Sequence, residues 1–230
     1  IEEAIFIRTT QFAEDASPLA HPVRPESYRA IWNFYTPTVY QKGAEVIRML
    51  ATLLGPENFR QGTDLYFQRY DGKAATTENF ITAMEAASDR DLSQFRHWYS
   101  QAGTPKVTIN GEYDSELKQF TLTTKQTCPA TAEYQHKEPF HIPLAISLLG
   151  QEGSFPLYLK GTGEINNSPN VIKNQRSMVL EITEPEQIFV FEQVNERPVP
   201  SLFQDFSAPI NCSYDYSLKD LALIIRIDAN

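Results

Sequence analysis

The sequence predicts an α+β, multidomain chain: a helical bundle, then an antiparallel β-sandwich, then the first helix of a further α-helical region. Three observations predict it. Residues 39–103 place apolar side chains at helical spacing, with helix caps between the runs. From Thr104–Pro105 the hydrophobic period falls from about 3.6 to about 2 residues. Leu218–Ile227 then returns to an apolar helical run. The expected division is residues 1–103, 104–205 and 206–230.

Taken in order, residues 1–10 open with Ile1, Ala4, Ile5 and Ile7 and read as an irregular approach with at most a short helical turn. His21-Pro22-Val23-Arg24-Pro25 must be extended or turned, because each proline disfavours helix for its predecessor. Arg24 reads as a solvated charge or as one end of a long-range ion pair, and His21 as a structural hydrogen-bonding residue. The stretch Asn33–Arg48, NFYTPTVYQKGAEVIR, turns from extended backbone into helix. Pro37 and the β-branched Thr36, Thr38 and Val39 favour extension. From Gln41, residues Ala44, Ile47, Leu50, Ala51 and Leu54 share one helical face.

That first helix is expected over about 39–54. Gly55 closes it and Pro56 opens the next, which carries Phe59, Leu65, Tyr66, Phe67 and Tyr70 to Asp71-Gly72. Thr76 caps a third helix with Glu78 in its first turn and Phe80, Ile81 and Met84 buried. Asp91 with Gln94 has the pattern of a capping box for a fourth, carrying Leu92, Phe95, Trp98 and Tyr99. Four short-looped helices describe an antiparallel bundle, and their aromatic stripe reads as core.

In the second part, strands are expected at 106–110, 119–124, 140–149, 154–159, 178–182 and 187–194. The loop 111–117 makes a hairpin of the first two, and glycines at 150–153 and 161–163 separate later ones. About 100 residues of such strands suit one antiparallel sandwich. A short strand at 212–216 and a helix opened by Ser217 and Asp220 close the chain. That helix is apolar almost all round, which implies burial on most sides.

Composition narrows the function. The 230 residues carry 20 basic and 29 acidic side chains, a net charge of −9, which argues against nucleic acid or an anionic membrane as partner. No apolar run approaches the ~20 residues of a membrane span. Cys128 and Cys212 belong to no C-x-x-C pair and read as reduced thiols, consistent with a cytoplasmic protein. The four histidines, His21, His97, His136 and His141, offer no helical i, i+4 pair. A site from His136, His141, Glu133 and Glu138 is broken by Pro139 and Pro143, so no metal ligands are expected in this chain.

Tyr40 stands at or near a helix start, where a phenol can donate one hydrogen bond; Tyr35 precedes it by five residues. By its position alone such a tyrosine reads first as a core or interface residue whose hydroxyl finds a carbonyl. The string Tyr35-x-x-x-x-Tyr40-x-Lys42-Gly43-Ala44 resembles the segment after the zinc site of aminopeptidase N-type metallopeptidases. QFAEDASPLAHPVRP (11–25), LLGPENF (53–59), AATTENF (74–80), FRHWYSQAGTP (95–105), HIPLAISLL (141–149) and FSAP (206–209) follow the same family in the same order.

The resemblance implies that residues 1–103 complete a thermolysin-like catalytic domain, with the sandwich and the start of a C-terminal helical domain after it. It implies a parent aminopeptidase that removes N-terminal residues from peptides with a free N-terminus. Zinc held by two His and one Glu would activate the attacking water there, with a second Glu as base. Tyr40 matches the tyrosine that helps stabilise the oxyanion, and Tyr35 matches a tyrosine lining the substrate pocket. Gln41 stands where the family usually has Glu; either one carboxylate near the substrate amine is lost, or a helix-end hydrogen bond is kept. Gly43 is expected to allow close helix packing. His-Glu-x-x-His and Gly-x-Met-Glu-Asn are absent from the chain, which does not begin with Met. The expectation is an inactive fragment that binds no zinc alone and packs in its parent against N-terminal, catalytic and C-terminal parts. The competing reading is a non-catalytic helical and β-sandwich interaction module.

Overall fold

The computed structural model describes residues 2–132, 135–160 and 176–228. Its first feature differs from the irregular approach expected of residues 1–10. Glu2–Asp15 is helical throughout: α1 (Glu2–Phe6), a π-turn (Ile7–Gln11) and α2 (Phe12–Asp15). The inward positions are Ile7, Gln11 and Asp15, at i, i+4 and i+8. Two of those three are polar, so the buried face shows no hydrophobic periodicity.

A second π-turn, Thr38–Lys42, leads into α3 (Gly43–Tyr70). Gly55 interrupts α3 with φ 76° and ψ 162°, a conformation open to glycine, and Pro56 restarts it. The expected pair of helices is thus present, the two meeting at a kink at Gly55. The buried face of α3 is Val46, Met49, Leu50, Leu53 and Leu54. The predicted face shares only Leu50 and Leu54 with this; Ala44 is exposed. Phe67, expected inward, is also exposed.

Helix α4 (Thr77–Ser88) packs on α3. Thr76 caps it: its hydroxyl accepts from Asn79 N, and the Asn79 side chain accepts from Thr76 N at 2.9 Å. The close approach is made at Gly62, where a Cβ would run into Met84. At Gly43 a Cβ would meet only Val23 at ordinary contact, so the packing role expected of Gly43 is not observed. The fourth helix shrinks to a 3-10 turn (Gln94–Arg96) and α5 (His97–Ser100). Asp91 caps Ser93 instead of forming a box with Gln94, whose amide reaches the carbonyls of Pro139 and Thr183. Leu92, Phe95, Trp98 and Tyr99 are nonetheless buried.

Two sheets follow. The first has the order β5 (Tyr158–Leu159), β7 (Glu186–Glu192), β2 (Gln119–Thr127), β1 (Lys106–Asp114), β9 (Asn211–Ser213). The second has the order β4 (Gly153–Ser154), β3 (Ile142–Gly150), β6 (Met178–Ile182), with β8 (Val199–Leu202) also paired to β3. The hairpin β1 (Lys106–Asp114) and β2 (Gln119–Thr127) is longer than predicted. Gly111 lies inside it opposite Leu122, because a Cβ there would strike the Phe120 ring at 2.5 Å. Strand β3 (Ile142–Gly150) is buried along almost its whole length, its apolar side chains sharing one cluster with those of β1, β2 and α3. The single strand expected at 154–159 is two short ones, β4 (Gly153–Ser154) and β5 (Tyr158–Leu159), in different sheets. Pro156 lies between them and has no N–H for a ladder. β6 (Met178–Ile182) and β7 (Glu186–Glu192) fall where expected, and β8 (Val199–Leu202) has no counterpart among the expected strands. β9 (Asn211–Ser213) joins β1 in parallel, so the sandwich is not wholly antiparallel. The glycines at 161–163 lie outside the described residues.

One apolar cluster runs from Val46 in α3 through Trp98 and β1–β3 to Ile210. The final helix, α6 (Leu218–Ile227), is capped by Ser217 and docks Leu223 against Leu149 and Val199. Leu218 and Ile225 remain 86% and 82% exposed, against the near-complete burial expected.

Arg197 pairs with Asp220 at 2.9 Å, and that hydrogen bond, aided by Ser217, lowers the Asp220 carboxyl to about 2. A depressed carboxyl adds stability above its unfolded pKa near 4, and that stability is lost as pH falls toward 2. Arg197 is largely exposed, so solvent screening reduces the pair to about 1 kcal/mol. Asp220→Asn is therefore expected to destabilise the chain by about that amount at pH 7 and to match wild type near pH 2, measured by urea titration at each pH. An equal deficit at both pH values would refute the linkage.

Candidate functional site

Tyr35 and Tyr40 come together on the surface of the helical part. Their rings stack with centroids 5.9 Å apart and planes 16° from parallel. Tyr35 is 67% exposed and Tyr40 54%. Among the described residues neither hydroxyl has a hydrogen-bond partner, so both are available to a ligand.

The backbone that presents Tyr40 is unusual. Pro37, with φ −52°, immediately precedes the π-turn, and Thr36 Oγ1 accepts from Val39 N at 3.1 Å. Single π-turns are uncommon and frequently mark functional positions. This one packs against the other π-turn, Ile7–Gln11.

Beneath Tyr40 lies a polar cluster. Thr38 N and Oγ1 both donate to Glu14 Oε2, at 2.9 and 2.6 Å, and Gln11 Nε2 donates to Thr38 Oγ1 at 3.1 Å. Lys42 Nζ donates to Asp15 Oδ2 at 2.7 Å and to the Gly103 carbonyl at 2.9 Å. Thr104 Oγ1 adds a further bond to Asp15 at 2.8 Å. The Lys42 and Asp15 side chains are each only 1% exposed. Burial would push the Asp15 carboxyl up, but Lys42 and its hydrogen-bond donors outweigh this and hold it below its ordinary value.

Other predicted residues lie elsewhere. Arg24 reaches across the fold to Glu78 at 3.3 Å, the long-range pair instead of the solvated charge. His21 Nδ1 meets the Pro22 carbonyl at 2.9 Å. His141 Nε2 bonds Glu181 at 2.7 Å, which removes it from any group with His136. Glu133 lies outside the described residues. Gln41 is half-buried beside Tyr40. Both cysteines are free. Among the described residues no three His, Cys, Asp or Glu side chains gather so as to hold a metal ion, and no helix is long and apolar enough to cross a membrane. The described residues therefore offer no set of side chains that fits a zinc site.

The buried Asp15–Lys42 pair has no signal in the sequence. The two residues are 27 apart, and each alone reads as a surface charge.

Comparison with known proteins agrees with the fold. Residues 3–99 match the peptidase family M1 domain, and residues 103–215 match a domain of unknown function (DUF3458) with an Ig-like fold. Aminopeptidase N of Escherichia coli K12 is 50% identical over 220 residues, covering 96% of this chain and 24% of that protein. Aminopeptidase N of Haemophilus influenzae is 46% identical over 230 residues, covering 100% and 25%. The crystal structure of Legionella pneumophila aminopeptidase A in complex with aspartic acid superposes with a TM-score of 0.74 at 27% identity, covering 99% of this chain and 24% of that one. The chain thus spans about a quarter of the length of the relatives it matches. Sequence, two consecutive domain matches and fold agree: residues 3–99 match the peptidase family M1 domain, and the chain is similar along its length to aminopeptidases N.

Proposed function

We propose that this chain is the part of a longer zinc aminopeptidase that supplies Tyr40 as an oxyanion donor and Tyr35 as a wall of the substrate pocket. The observation that carries the reading is the pair itself. Tyr40, on the π-turn, stacks with Tyr35, both rings are exposed, and neither hydroxyl has a partner among the described residues, in a chain 50% identical over 220 residues to aminopeptidase N of Escherichia coli K12. A phenol held this way donates its O–H to a carbonyl oxygen as that oxygen gains charge under attack at the first peptide bond of a substrate. Zinc, which the family implies for the full-length protein, would be held by residues other than those described here, and would supply water activation when bound. Peptides with a free N-terminus are the substrates.

The test is hydrolysis of alanine p-nitroanilide, with zinc supplied, by the full-length protein, by its Tyr40→Phe variant and by this chain alone. An active parent, a crippled variant and an inert chain are expected. Activity in the chain alone would show that its own residues carry the metal chemistry, against this reading. A parent without peptidase activity would favour the interaction module.

A further inference from the structure

We propose that Glu14 and Asp15 are positioning residues that aim Tyr40, and that the clamp they form is completed by the segment leading into β1. The inference rests on the role proposed for Tyr40 and adds how its hydroxyl is held.

Residues two places either side of a helical position lie on roughly the opposite face. Thr38 and Lys42 flank Tyr40 at −2 and +2, and both are buried while Tyr40 faces out. Each is gripped by one of two adjacent carboxylates on α2: Thr38 by Glu14, Lys42 by Asp15. Holding both ends of the inner face fixes the rotation of the turn about its axis, and so the direction of the Tyr40 Cα–Cβ bond. The second grip needs the other part of the molecule. Lys42 also donates to Gly103 and Asp15 accepts from Thr104, two residues before β1 begins at Lys106.

A buried ion pair is a poor way to gain stability, because desolvation cancels much of the attraction. What it provides is direction, since its hydrogen bonds have one geometry. A displacement of about 1 Å in a catalytic group can cost about 100-fold in rate.

The experiment uses the full-length protein with zinc and alanine p-nitroanilide. Asp15→Leu with Lys42→Met replaces the pair by apolar residues of similar bulk, a change that many folds tolerate. We expect retained thermal stability, kcat lowered about 10- to 100-fold and KM within about threefold of wild type. If that double variant does not fold, Glu14→Ala tests the other grip, with Glu14→Gln, which keeps an acceptor for Thr38, restoring most of the rate. The deciding readout is the Tyr40→Phe background, in which the clamp changes should add little if they act through the hydroxyl. A folded clamp variant with wild-type kcat, or one whose loss multiplies with that of Tyr40→Phe, overturns the clamp alone. A Tyr40→Phe enzyme with wild-type kcat overturns the role of Tyr40 instead.

Discussion

Tyr40→Phe in the full-length protein is expected to lower kcat for alanine p-nitroanilide about 100- to 1,000-fold, the usual cost of one oxyanion donor. The substitution is unusually clean here. Phe keeps the ring, and so the stack on Tyr35, while neither the buried Thr38 nor Lys42 depends on the hydroxyl. Only the O–H is removed. In the role proposed, the hydroxyl serves charge that appears only during reaction, so KM should move by less than about threefold. Tyr35→Phe should cost less, since a pocket wall acts mainly through its ring. Steady-state kinetics with both variants checks the order. A Tyr40→Phe enzyme within about twofold of wild type would make Tyr40 an exposed tyrosine of no catalytic consequence.

Much of the scaffold that carries Tyr40 is legible in the amino-acid sequence. Thr76 and Ser217 announce their helices because a cap is a local device, requiring only a side chain and a backbone N–H three residues on. Gly55–Pro56 marks the kink for the same reason. Strands β1, β2 and β7 show as alternation and β3 as a continuous apolar run, whereas Pro156 cuts one expected strand in two and β8 is hidden by Pro198 before it and Pro200 within it. The inner face of Glu2–Asp15 is not legible in this way. Gln11 and Asp15 are buried there because Thr38, Lys42 and Thr104 satisfy them, and those partners come from distant parts of the chain. Hydrophobic periodicity finds elements that bury oil; an element that buries charge against charge leaves no such trace. The resemblance locates Tyr35 and Tyr40, whereas the clamp beneath them emerges only from the fold.

Trp98→Ala is expected to destabilise this chain by about 3–5 kcal/mol, the range for truncating a buried aromatic. Trp98 is fully buried, and its ring lies 4.6 Å from that of Phe140. Its Nε1 donates at 2.8 Å to the carbonyl of His141, immediately before β3. Around this point the two parts of the molecule are also joined by polar links. Arg90 donates to the Leu53 carbonyl at 2.6 Å and pairs with Glu181 on β6, which also bonds His141. Burial pushes the Glu181 carboxyl up, yet His141 and Arg90 hold it below its ordinary value. Trp98 therefore fills the junction and sets its register at once. Trp98→Phe separates the two tasks: most of the volume stays, the His141 carbonyl loses its donor, and about 1–2 kcal/mol should be lost. Urea unfolding followed by far-ultraviolet circular dichroism and by tyrosine fluorescence measures both variants. Wild type should show coincident transitions, because one apolar cluster spans helices and sheets. In Trp98→Ala the two probes should separate as the sandwich outlasts the helical part. A loss below about 1 kcal/mol with coincident transitions would mean that the polar links around Glu181, not the indole, hold the junction together.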